Sequence, residues 1–189
     1  MLICLNAVAE CGQSEREEME NCMMELSAGN TAAMEPLYRI ANPSVYAFAL
    51  SLLKSSHDAE EIAQECFVRA YLGAAGYRPQ GKPMAWLMTI ARNEALQLLR
   101  ERRRTVAMTP EDWQEQFSDR PDFSQEDLLT LRALLETLSD EERQIVSLHA
   151  LGGLKHREIA DMLELALPTV LSKYHRAMKK LGKAAEEAE

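Results

Sequence analysis

The sequence predicts an all-α protein made of two small helical domains that an acidic linker joins. Apolar residues recur at the three- and four-residue intervals of amphipathic helices, and no stretch shows the strict alternation of a strand. The composition agrees, because 47% of the 189 residues are hydrophobic and only 6% are aromatic, a balance that favours helices and still supplies apolar cores. One acidic, proline-containing stretch, residues 105–126, separates the two helical parts.

The amino-terminal segment, residues 1–22, is predicted to be an extension, because its apolar groups have no evident partner in the sequence. Met19, Met23 and Met24 are candidates for an alternative start of the chain. Whether this segment is native and ordered is therefore left open, and the first domain is expected to cover residues 23–104.

Three helices are predicted in the first half of this domain. The first begins near residue 21 and ends at 28–29, and the second begins at about Thr31 and is limited by Pro43. A further apolar stripe over residues 45–53 predicts the third.

The next helix, residues 59–71, is predicted from its cap and its apolar face. Asp58 is suited to the N-cap position, with Glu61 at the third helical position in a capping-box arrangement. The face opposite the apolar stripe carries Glu61, Gln64, Glu65 and Val68. An acidic face is usually just solvated, but a valine in its middle makes this face a candidate for protein contact.

A turn-rich break over residues 73–82 precedes a long helix from Pro83 or Met84 to about Arg103. The apolar stripe of this helix is Leu87, Ile90, Ala91, Ala95, Leu98 and Leu99. The basic residues of the break and the helix are Arg78, Lys82, Arg92, Arg100, Arg102, Arg103 and Arg104. This part of the chain is therefore a basic amphipathic module.

The second domain, residues 127–183, is followed by an acidic tail, residues 184–189. Helices are predicted to resume at about Asp127. Ser139 and Glu142 form a capping box at the start of a helix that Gly152 and Gly153 stop.

Residues 154–181 predict two short helices with a tight turn between them, and the second helix has two different sides. Its apolar side carries Val170, Tyr174, Ala177 and Leu181, and its polar side carries Thr169, Ser172, His175, Arg176 and Lys179. Cations that meet phosphates, beside short polar groups that reach base edges, are what a major-groove recognition helix needs. A solvated helix with ordinary surface lysines is the alternative.

The net charge of −9 is unevenly distributed. Residues 78–104 carry seven basic and two acidic groups, residues 111–127 one basic and seven acidic, and residues 155–183 seven basic and three acidic. Two basic modules thus flank an acidic strap. Weak DNA binding by the free protein is expected, because the acidic segments compete with phosphate for the basic faces.

Several classes of function have no support in the sequence. The four histidines and four cysteines show no ligand spacing, so neither a metal site nor a cofactor is predicted. No nucleotide-binding loop and no converging catalytic set is present, so we predict no catalytic residues. No run of about 18 apolar residues and no signal-peptide pattern occurs, which predicts a cytoplasmic protein without stable membrane insertion.

Three segments resemble the bacterial sigma-70 family of RNA polymerase sigma factors, and the two-domain layout resembles its extracytoplasmic-function (ECF) group. They are DAEEIAQECFVRAY (58–71), YRPQGKPMAWLMTIARNEALQLLRERRR (77–104) and LETLSDEERQIVSLHALGGLKHREIADML (135–163). The similarity runs from about Met24 to Leu181. Residues 23–104 would then be a sigma region 2 helical bundle and residues 127–183 a sigma region 4 helix-turn-helix domain.

The resemblance implies partners as well as a fold. They are core RNA polymerase, through the clamp of its largest subunit and the flap of its second-largest subunit, promoter DNA in duplex and single-stranded form, and an anti-sigma factor. The implied clamp-binding residues are Asp58, Glu61, Gln64, Glu65 and Val68.

By the same resemblance, residues 77–104 bind and open the −10 promoter element, where unstacked bases need aromatic faces and a cationic track. The implied −10 residues are Tyr77, Arg78, Lys82, Trp86, Arg92, Asn93 and Arg100, with Trp86 equally suited to be a core anchor. The implied residues for the duplex −35 element are Lys155, Arg157, Thr169, Leu171, Ser172, Lys173, His175, Arg176 and Lys179.

The chain departs from the family pattern in the recognition turn. Glu164 replaces the usual turn glycine, Pro168 replaces a small residue, and Leu171 replaces a commonly basic one. Leu171 offers only apolar contact, such as to a thymine methyl. The promoter sequence is therefore not predicted, although Pro168 suits a first helical position.

Two other functions remain alternatives to a sigma factor. One is a stand-alone transcription regulator that uses only the helix-turn-helix and binds operator DNA unaided as a dimer. The other is a sigma-like adaptor that binds protein partners and reads no DNA.

Overall fold

The computed structural model describes residues 13–105 and 137–186. Within these two ranges the chain forms seven α-helices and two short 3-10 turns and has no strand, so the predicted all-α class is confirmed. The helices are α1 (Gln13–Ser27), α2 (Met34–Leu53), α3 (Ser56–Gly73), α4 (Pro83–Thr105), α5 (Asp140–Ala150), α6 (His156–Leu163) and α7 (Leu167–Glu186). The predicted acidic linker, the helix expected from Asp127 and the end of the acidic tail lie outside the described residues.

Helix α1 begins at Gln13, so the prediction of a helix start near residue 21 was wrong. Met19 and Met23 are fully buried and Cys22 nearly so. The described part of the predicted extension therefore packs into the first domain. The sequence did not reveal this because the apolar partners of these side chains lie in distant segments of the chain.

Helix α2 runs without interruption through Pro43, although the sequence predicted a break there. Proline removes one intrahelical hydrogen bond, but Pro43 is exposed, so water can satisfy the carbonyl that this leaves. Ala41 and Val45 are fully buried on either side of it. Burial of this continuous apolar face outweighs the lost hydrogen bond.

Helix α3 begins at Ser56, and its N-cap is Ser55, whose hydroxyl accepts a hydrogen bond from the backbone N–H of Asp58. The predicted N-cap role of Asp58 was therefore wrong. The Asp58 side chain is buried and pairs with Arg102 of α4, with both nitrogen–oxygen distances at 2.5 Å. This pair, in which Asp58 is buried and Arg102 is partly exposed, fastens the start of α3 to the basic end of α4.

The core of the first domain lies between α1, α2, α3 and α4, which all contact one another or their connecting turns. Its largest fully buried side chains are Met19, Met23, Leu37, Phe48, Leu87 and Met88. Cys66 is also buried and donates its thiol hydrogen to the Leu87 carbonyl at 3.4 Å. Packing of this kind fixes the outward faces of α3 and α4.

The second domain is built from α5, α6 and α7 and confirms the predicted capping box. The Ser139 hydroxyl accepts from the Glu142 N–H, and the Glu142 carboxylate accepts from the Ser139 N–H. The same carboxylate binds Lys180 Nζ at 2.6 Å, which joins α7 to the start of α5. Burial raises the pKa of Glu142, but the hydrogen bonds from Lys180 and Ser139 outweigh it and lower the pKa overall.

The two domains pack against each other in the structure. Helix α2 contacts α5, and buried side chains of both domains form one apolar cluster that includes Ile145 and Leu148. Arg92 Nε donates to Gln144 Oε1 at 2.9 Å, and Lys82 Nζ lies 3.4 Å from Glu158 Oε1. No sequence pattern predicts this interface, because its partners lie in segments whose local spacings are unrelated.

Candidate nucleic-acid interface

Helix α7 has the two sides that the sequence predicted. Val170 and Ala177 are fully buried, whereas the polar side is open to solvent at Ser172, His175, Arg176 and Lys179. Leu171 is also exposed and Thr169 is partly buried. The helix thus presents a row of cations and short polar groups to the outside, backed by a rigid apolar stripe.

The turn before α7 carries the substitution that the sequence singled out. Glu164 ends α6 in the left-handed conformation, with φ 55° and ψ 38°. Its N–H bonds back to α6, and Leu165 N–H donates to the Ala160 carbonyl at 3.0 Å. The left-handed region costs a residue with a Cβ about 1 kcal/mol, so Glu164 occupies a strained site. Pro168 is the second residue of α7 rather than the first. It still lies in the first turn, whose backbone N–H groups have no intrahelical acceptor.

Three other predicted −35 residues lie around this motif. Lys155 and Arg157 are exposed at the start of α6. Lys173 is partly buried and its Nζ lies 2.5 Å from a carboxylate oxygen of Glu141. Lys173 is thus tied to α5, while Lys155 and Arg157 add charge to the outer surface.

An aromatic cluster supports the inner side of the recognition helix. The rings of His149 and His156 lie 4.4 Å apart, and Tyr174 packs edge-on against both, at 5.1 Å and 4.6 Å. His149 Nδ1 hydrogen-bonds the Leu154 carbonyl at 2.8 Å, whereas His156 Nε2 is buried without a partner. Burial, and then the positive potential of His149 and His175, lowers the pKa of His156.

Tyr77 and Trp86 form the aromatic part of the predicted −10 site. The rings lie 5.3 Å apart in an edge-on arrangement, and Tyr77 is buried while Trp86 is partly exposed. The Tyr77 hydroxyl donates to Glu20 Oε2 at 2.6 Å, and Gly81 N–H donates to Glu20 Oε1 at 3.1 Å. Burial, and then the bond to Glu20, raises the pKa of Tyr77. Tyr77 therefore anchors its loop, and the exposed aromatic face is that of Trp86.

The polar residues of the predicted −10 site lie in two different environments. Arg78, Asn93 and Arg100 are exposed, and Asn93 and Trp86 line an open groove of about 480 Å³ together with Arg69, Leu72 and Gly73. Lys82 and Arg92 instead face the second domain. Burial and the nearby Arg100 lower the pKa of Arg92, and Glu164 counteracts both.

The outward face of α3 is more apolar than its sequence pattern predicted. Glu61 and Gln64 are exposed and Val68 is 51% exposed, as predicted, but Tyr71 and Leu72 are also exposed, Leu72 by 74%. Glu65 pairs with Arg69 at 2.8 Å. Asp58 is only 2% exposed, so its carboxylate points to Arg102 and away from this face. Large apolar residues that stay exposed on one helix face mark a protein-contact surface.

The described residues were also compared with the requirements of a reactive thiol, a metal site and a membrane-spanning helix. Cys22 and Cys66 are buried free thiols, and burial raises the pKa of Cys66 to about 12. In residues 13–105 and 137–186, no His, Cys, Asp and Glu side chains converge in a metal-holding group. None of the helices in those ranges has the length and apolar character needed to cross a bilayer.

The family of this chain follows from its similarity to known proteins. Residues 37–105 match the family model for sigma-70 region 2, and residues 128–181 match the model for sigma-70 region 4. The chain is an ECF member of the sigma-70 family. Its similarity to the ECF RNA polymerase sigma factor EcfG of Rhodopseudomonas palustris is 30% identity over 143 residues, which covers 75% of this chain and 79% of the relative.

A second relative of this sigma-70 family chain is longer. The ECF RNA polymerase sigma factor SigE of Mycolicibacterium smegmatis is 34% identical over 164 residues, and the match covers 82% of this chain and 63% of the relative. The chain therefore spans less than two thirds of that relative's length.

Solved structures show the same fold. The structure of CnrH in complex with the cytosolic domain of CnrY matches with a TM-score of 0.70 at 22% identity, covering 91% of this chain and 99% of that one. The sigma factor RpoE of Bartonella quintana, in complex with the anti-sigma factor NepR, matches with a TM-score of 0.64 at 24% identity, covering 80% and 96%. At these identities the likeness concerns the fold alone.

Proposed function

We propose that this chain binds core RNA polymerase and directs promoter-specific transcription initiation by recognising the −10 and −35 elements and assisting promoter melting. The observation that carries the proposal is the presence, in one sigma-family chain, of a recognition helix with an open cationic side and a basic module with an exposed aromatic face. A protein that grips duplex DNA and captures single-stranded bases needs both surfaces.

The polymerase contact is assigned to the outward face of α3. Val68 and Leu72 provide exposed apolar surface, and Glu61, Gln64 and Glu65 provide polar groups around it. An apolar centre with a polar rim is the usual anatomy of a protein interface. We assign the flap contact to the second domain by family membership, and we leave Asp58 out of the clamp contact because it is buried against Arg102.

The −10 contact is assigned to the groove beside Trp86 and Asn93, with Arg78, Lys82, Arg92 and Arg100 as the cationic track. An exposed indole ring can stack on an unpaired base, and such stacking tolerates different base identities. Tyr77 supports this site through its contact with Trp86 rather than by binding DNA itself.

The −35 contact is assigned to the polar side of α7. Ser172, His175 and Arg176 are suited to base edges, and Lys179, Lys155 and Arg157 to phosphates. Leu171, exposed on the same helix, can contact a thymine methyl. A helix in the major groove needs no cofactor and no catalytic chemistry. We propose that the protein works as a polymerase subunit in the cytoplasm.

An anti-sigma factor is proposed as a further partner. The support is the likeness of fold to the sigma factor RpoE of Bartonella quintana, whose structure was solved in complex with the anti-sigma factor NepR. No residue of this chain is assigned to that contact.

Binding to core polymerase tests the proposal. The protein should form a stable complex with core, and Val68→Ser with Leu72→Ser should weaken it about tenfold, as expected for apolar residues at an interface centre. Met24→Ser is the matched control, because Met24 is an exposed apolar residue (46%) on a different helix, α1, and it should have no effect.

Two results would each overturn the proposal in favour of one of the two alternative functions. A two-fold symmetric footprint on duplex DNA without polymerase, and no complex with core, would favour a stand-alone regulator. A stable complex with core whose promoter output does not respond to Arg176→Ala and Lys179→Ala would favour an adaptor that reads no DNA.

A further inference from the structure

Three consecutive acidic residues open α5, and each of them faces a different cation of the second domain. Asp140 pairs with an arginine of α5 itself at 3.3 Å. Glu141 Oε2 lies 2.5 Å from Lys173 Nζ, and Glu142 Oε2 lies 2.6 Å from Lys180 Nζ, so these two carboxylates reach across to α7. Acidic groups in a first turn are also favoured by the helix dipole, so the sequence alone does not tell the three apart.

The three ion pairs differ in how far they are buried. The side chains of Arg143, which binds Asp140, and of Glu142 are only 6% and 4% exposed. A buried charge that loses its partner is strongly destabilising, so these two pairs are fixed. The Lys173–Glu141 pair is open on both sides, with the side chains 24% and 57% exposed. Exposed pairs contribute little to stability, so Lys173 is the cation that can change its partner most easily.

Lys173 lies next to the polar side of α7. Thr169 precedes it by four residues and the exposed Arg176 follows it by three, and residues at these intervals are neighbours on a helix surface. A lysine carries its charge at the end of a flexible stem. The ammonium of Lys173 can therefore reach either the carboxylate on α5 or a phosphate at the edge of the groove in which α7 would lie.

A phosphate is a suitable replacement for Glu141. Both groups bind an ammonium through anionic oxygens, and the closely spaced phosphates of a duplex attract a cation more strongly than a single exposed carboxylate does. The exchange keeps Lys173 paired. It also leaves the Glu141 carboxylate in water, because more than half of that side chain is already exposed, so little desolvation opposes the exchange.

We propose that Lys173 is an exchangeable phosphate contact of the −35 site: Glu141 holds its ammonium in the free protein, and a phosphate of the duplex takes the place of Glu141 on binding. This inference rests on the proposed function, because it deepens the −35 site. Lys180 stays in place, since its partner Glu142 is buried and also caps α5. Glu141 is thus a positioning residue that lowers the affinity for duplex DNA through Lys173.

Three variants separate this exchange from a general effect of charge. Glu141→Gln removes the charge that holds Lys173 and keeps the size of the side chain. Asp140→Asn is the matched control, because it removes one negative charge from the same turn, where the partner is Arg143 instead. Lys173→Met removes the ammonium and keeps an apolar stem in the partly buried position.

The affinity of the full chain is measured by fluorescence anisotropy with a labelled, mixed-sequence DNA duplex, because phosphate contacts do not depend on base sequence. Glu141→Gln should bind about threefold more tightly than Asp140→Asn, the size expected when a cation is freed from an exposed ion pair. Its affinity should also fall more steeply between about 50 mM and 200 mM salt. The reason is that salt weakens the competing pair in the wild type, whereas the variant has no such pair.

The double variant Glu141→Gln, Lys173→Met tests whether the effect passes through Lys173. In the Lys173→Met background, Glu141→Gln should raise the affinity no more than Asp140→Asn raises that of the wild type. An equal gain with and without Lys173 would overturn the exchange, as would equal affinity and equal salt dependence of Glu141→Gln and Asp140→Asn. Circular dichroism checks that each variant is folded, and Lys173→Gln replaces Lys173→Met if the latter is not.

Failure of the exchange and failure of the proposed function give different results. A wild-type protein that directs transcription with core polymerase, while Glu141→Gln and Asp140→Asn bind the duplex alike, disproves the exchange alone. Variants that differ as expected, in a protein that forms no complex with core polymerase, disprove the proposed function and leave Lys173 as an exchangeable contact to duplex DNA.

Discussion

The Tyr77 hydroxyl donates a 2.6 Å hydrogen bond to the Glu20 carboxylate, across 57 residues of sequence. Glu20 also accepts from Gly81 N–H, so a single side chain of α1 holds both ends of the loop that precedes α4. Through Tyr77, this bond supports Trp86 at 5.3 Å. The amino-terminal helix is thereby part of the proposed −10 site.

Replacing Glu20 with Ala should lower the free energy of unfolding by about 1–3 kcal/mol, because it leaves the buried Tyr77 hydroxyl without an acceptor. Tyr77→Phe removes the hydroxyl itself, so Glu20→Ala should cost much less in that background. Urea denaturation of the four proteins in this double-mutant cycle measures the coupling. Additive effects would show that the hydrogen bond contributes nothing.

His156 should make the second domain sensitive to mild acid. Its pKa in the folded protein is lowered, first by burial and then by His149 and His175, so the unfolded chain binds more protons. The free energy of unfolding should therefore fall as the pH decreases below about 6.5, the unfolded value, toward the lower folded pKa. Thermal melts between about pH 5 and pH 8 measure this dependence.

His156→Phe is the matched variant for this prediction, because it keeps a ring beside Tyr174 and removes the titrating group. His149 keeps its bond to Leu154. The melting temperature of His156→Phe should depend less on pH over this range than that of the wild type. An unchanged pH dependence would assign the titration to another histidine.

Glu164→Gly should stabilise the turn of the helix-turn-helix by about 1 kcal/mol, because glycine adopts the left-handed conformation at φ 55° without steric cost. The melting temperature of the full chain measures the net effect on stability, which is the relieved strain less the lost attraction to Arg92. Glu164→Gln keeps the strain and removes the charge, so it should be less stable than Glu164→Gly. Equal stability of the two variants would mean that no strain is stored there.

Changes on the polar side of α7 should separate contacts to phosphates from contacts to bases. Lys179→Ala should weaken binding evenly across promoter sequences and lower the salt slope by about one. Ser172→Ala or Arg176→Ala should instead change the sequence preference, measured by selection from a randomised −35 library. Identical behaviour of the two kinds of variant would mean that the helix face is wrongly assigned.

Local patterns in the sequence predicted much of the fold. The Ser139–Glu142 capping box and the two sides of α7 involve residues within a few turns of one another, so spacing alone reveals them. The sequence predicted the α3 N-cap at Asp58 because Asp58 and Glu61 have the spacing of a capping box. In the structure the Asp58 side chain is instead buried against Arg102, and Ser55 is the N-cap.

Long-range contacts account for the features that the sequence did not predict. Met19 finds its apolar partners, and Glu20 its hydrogen bonds, only after α1 packs on the rest of the first domain. Pro43 is accommodated because buried neighbours hold α2 together. The contact of Arg92 with Gln144 joins two domains whose separate sequence patterns say nothing about each other.

Transcription in vitro tests the central claim most directly. Core polymerase with this protein is given fragmented genomic DNA of its host, and the 5′ ends of the transcripts are sequenced. The account predicts new start sites, absent with core alone, that share two upstream elements near −10 and −35, and their output should fall when Arg176 is replaced by Ala. A stable complex with core that yields no new start sites would contradict the account.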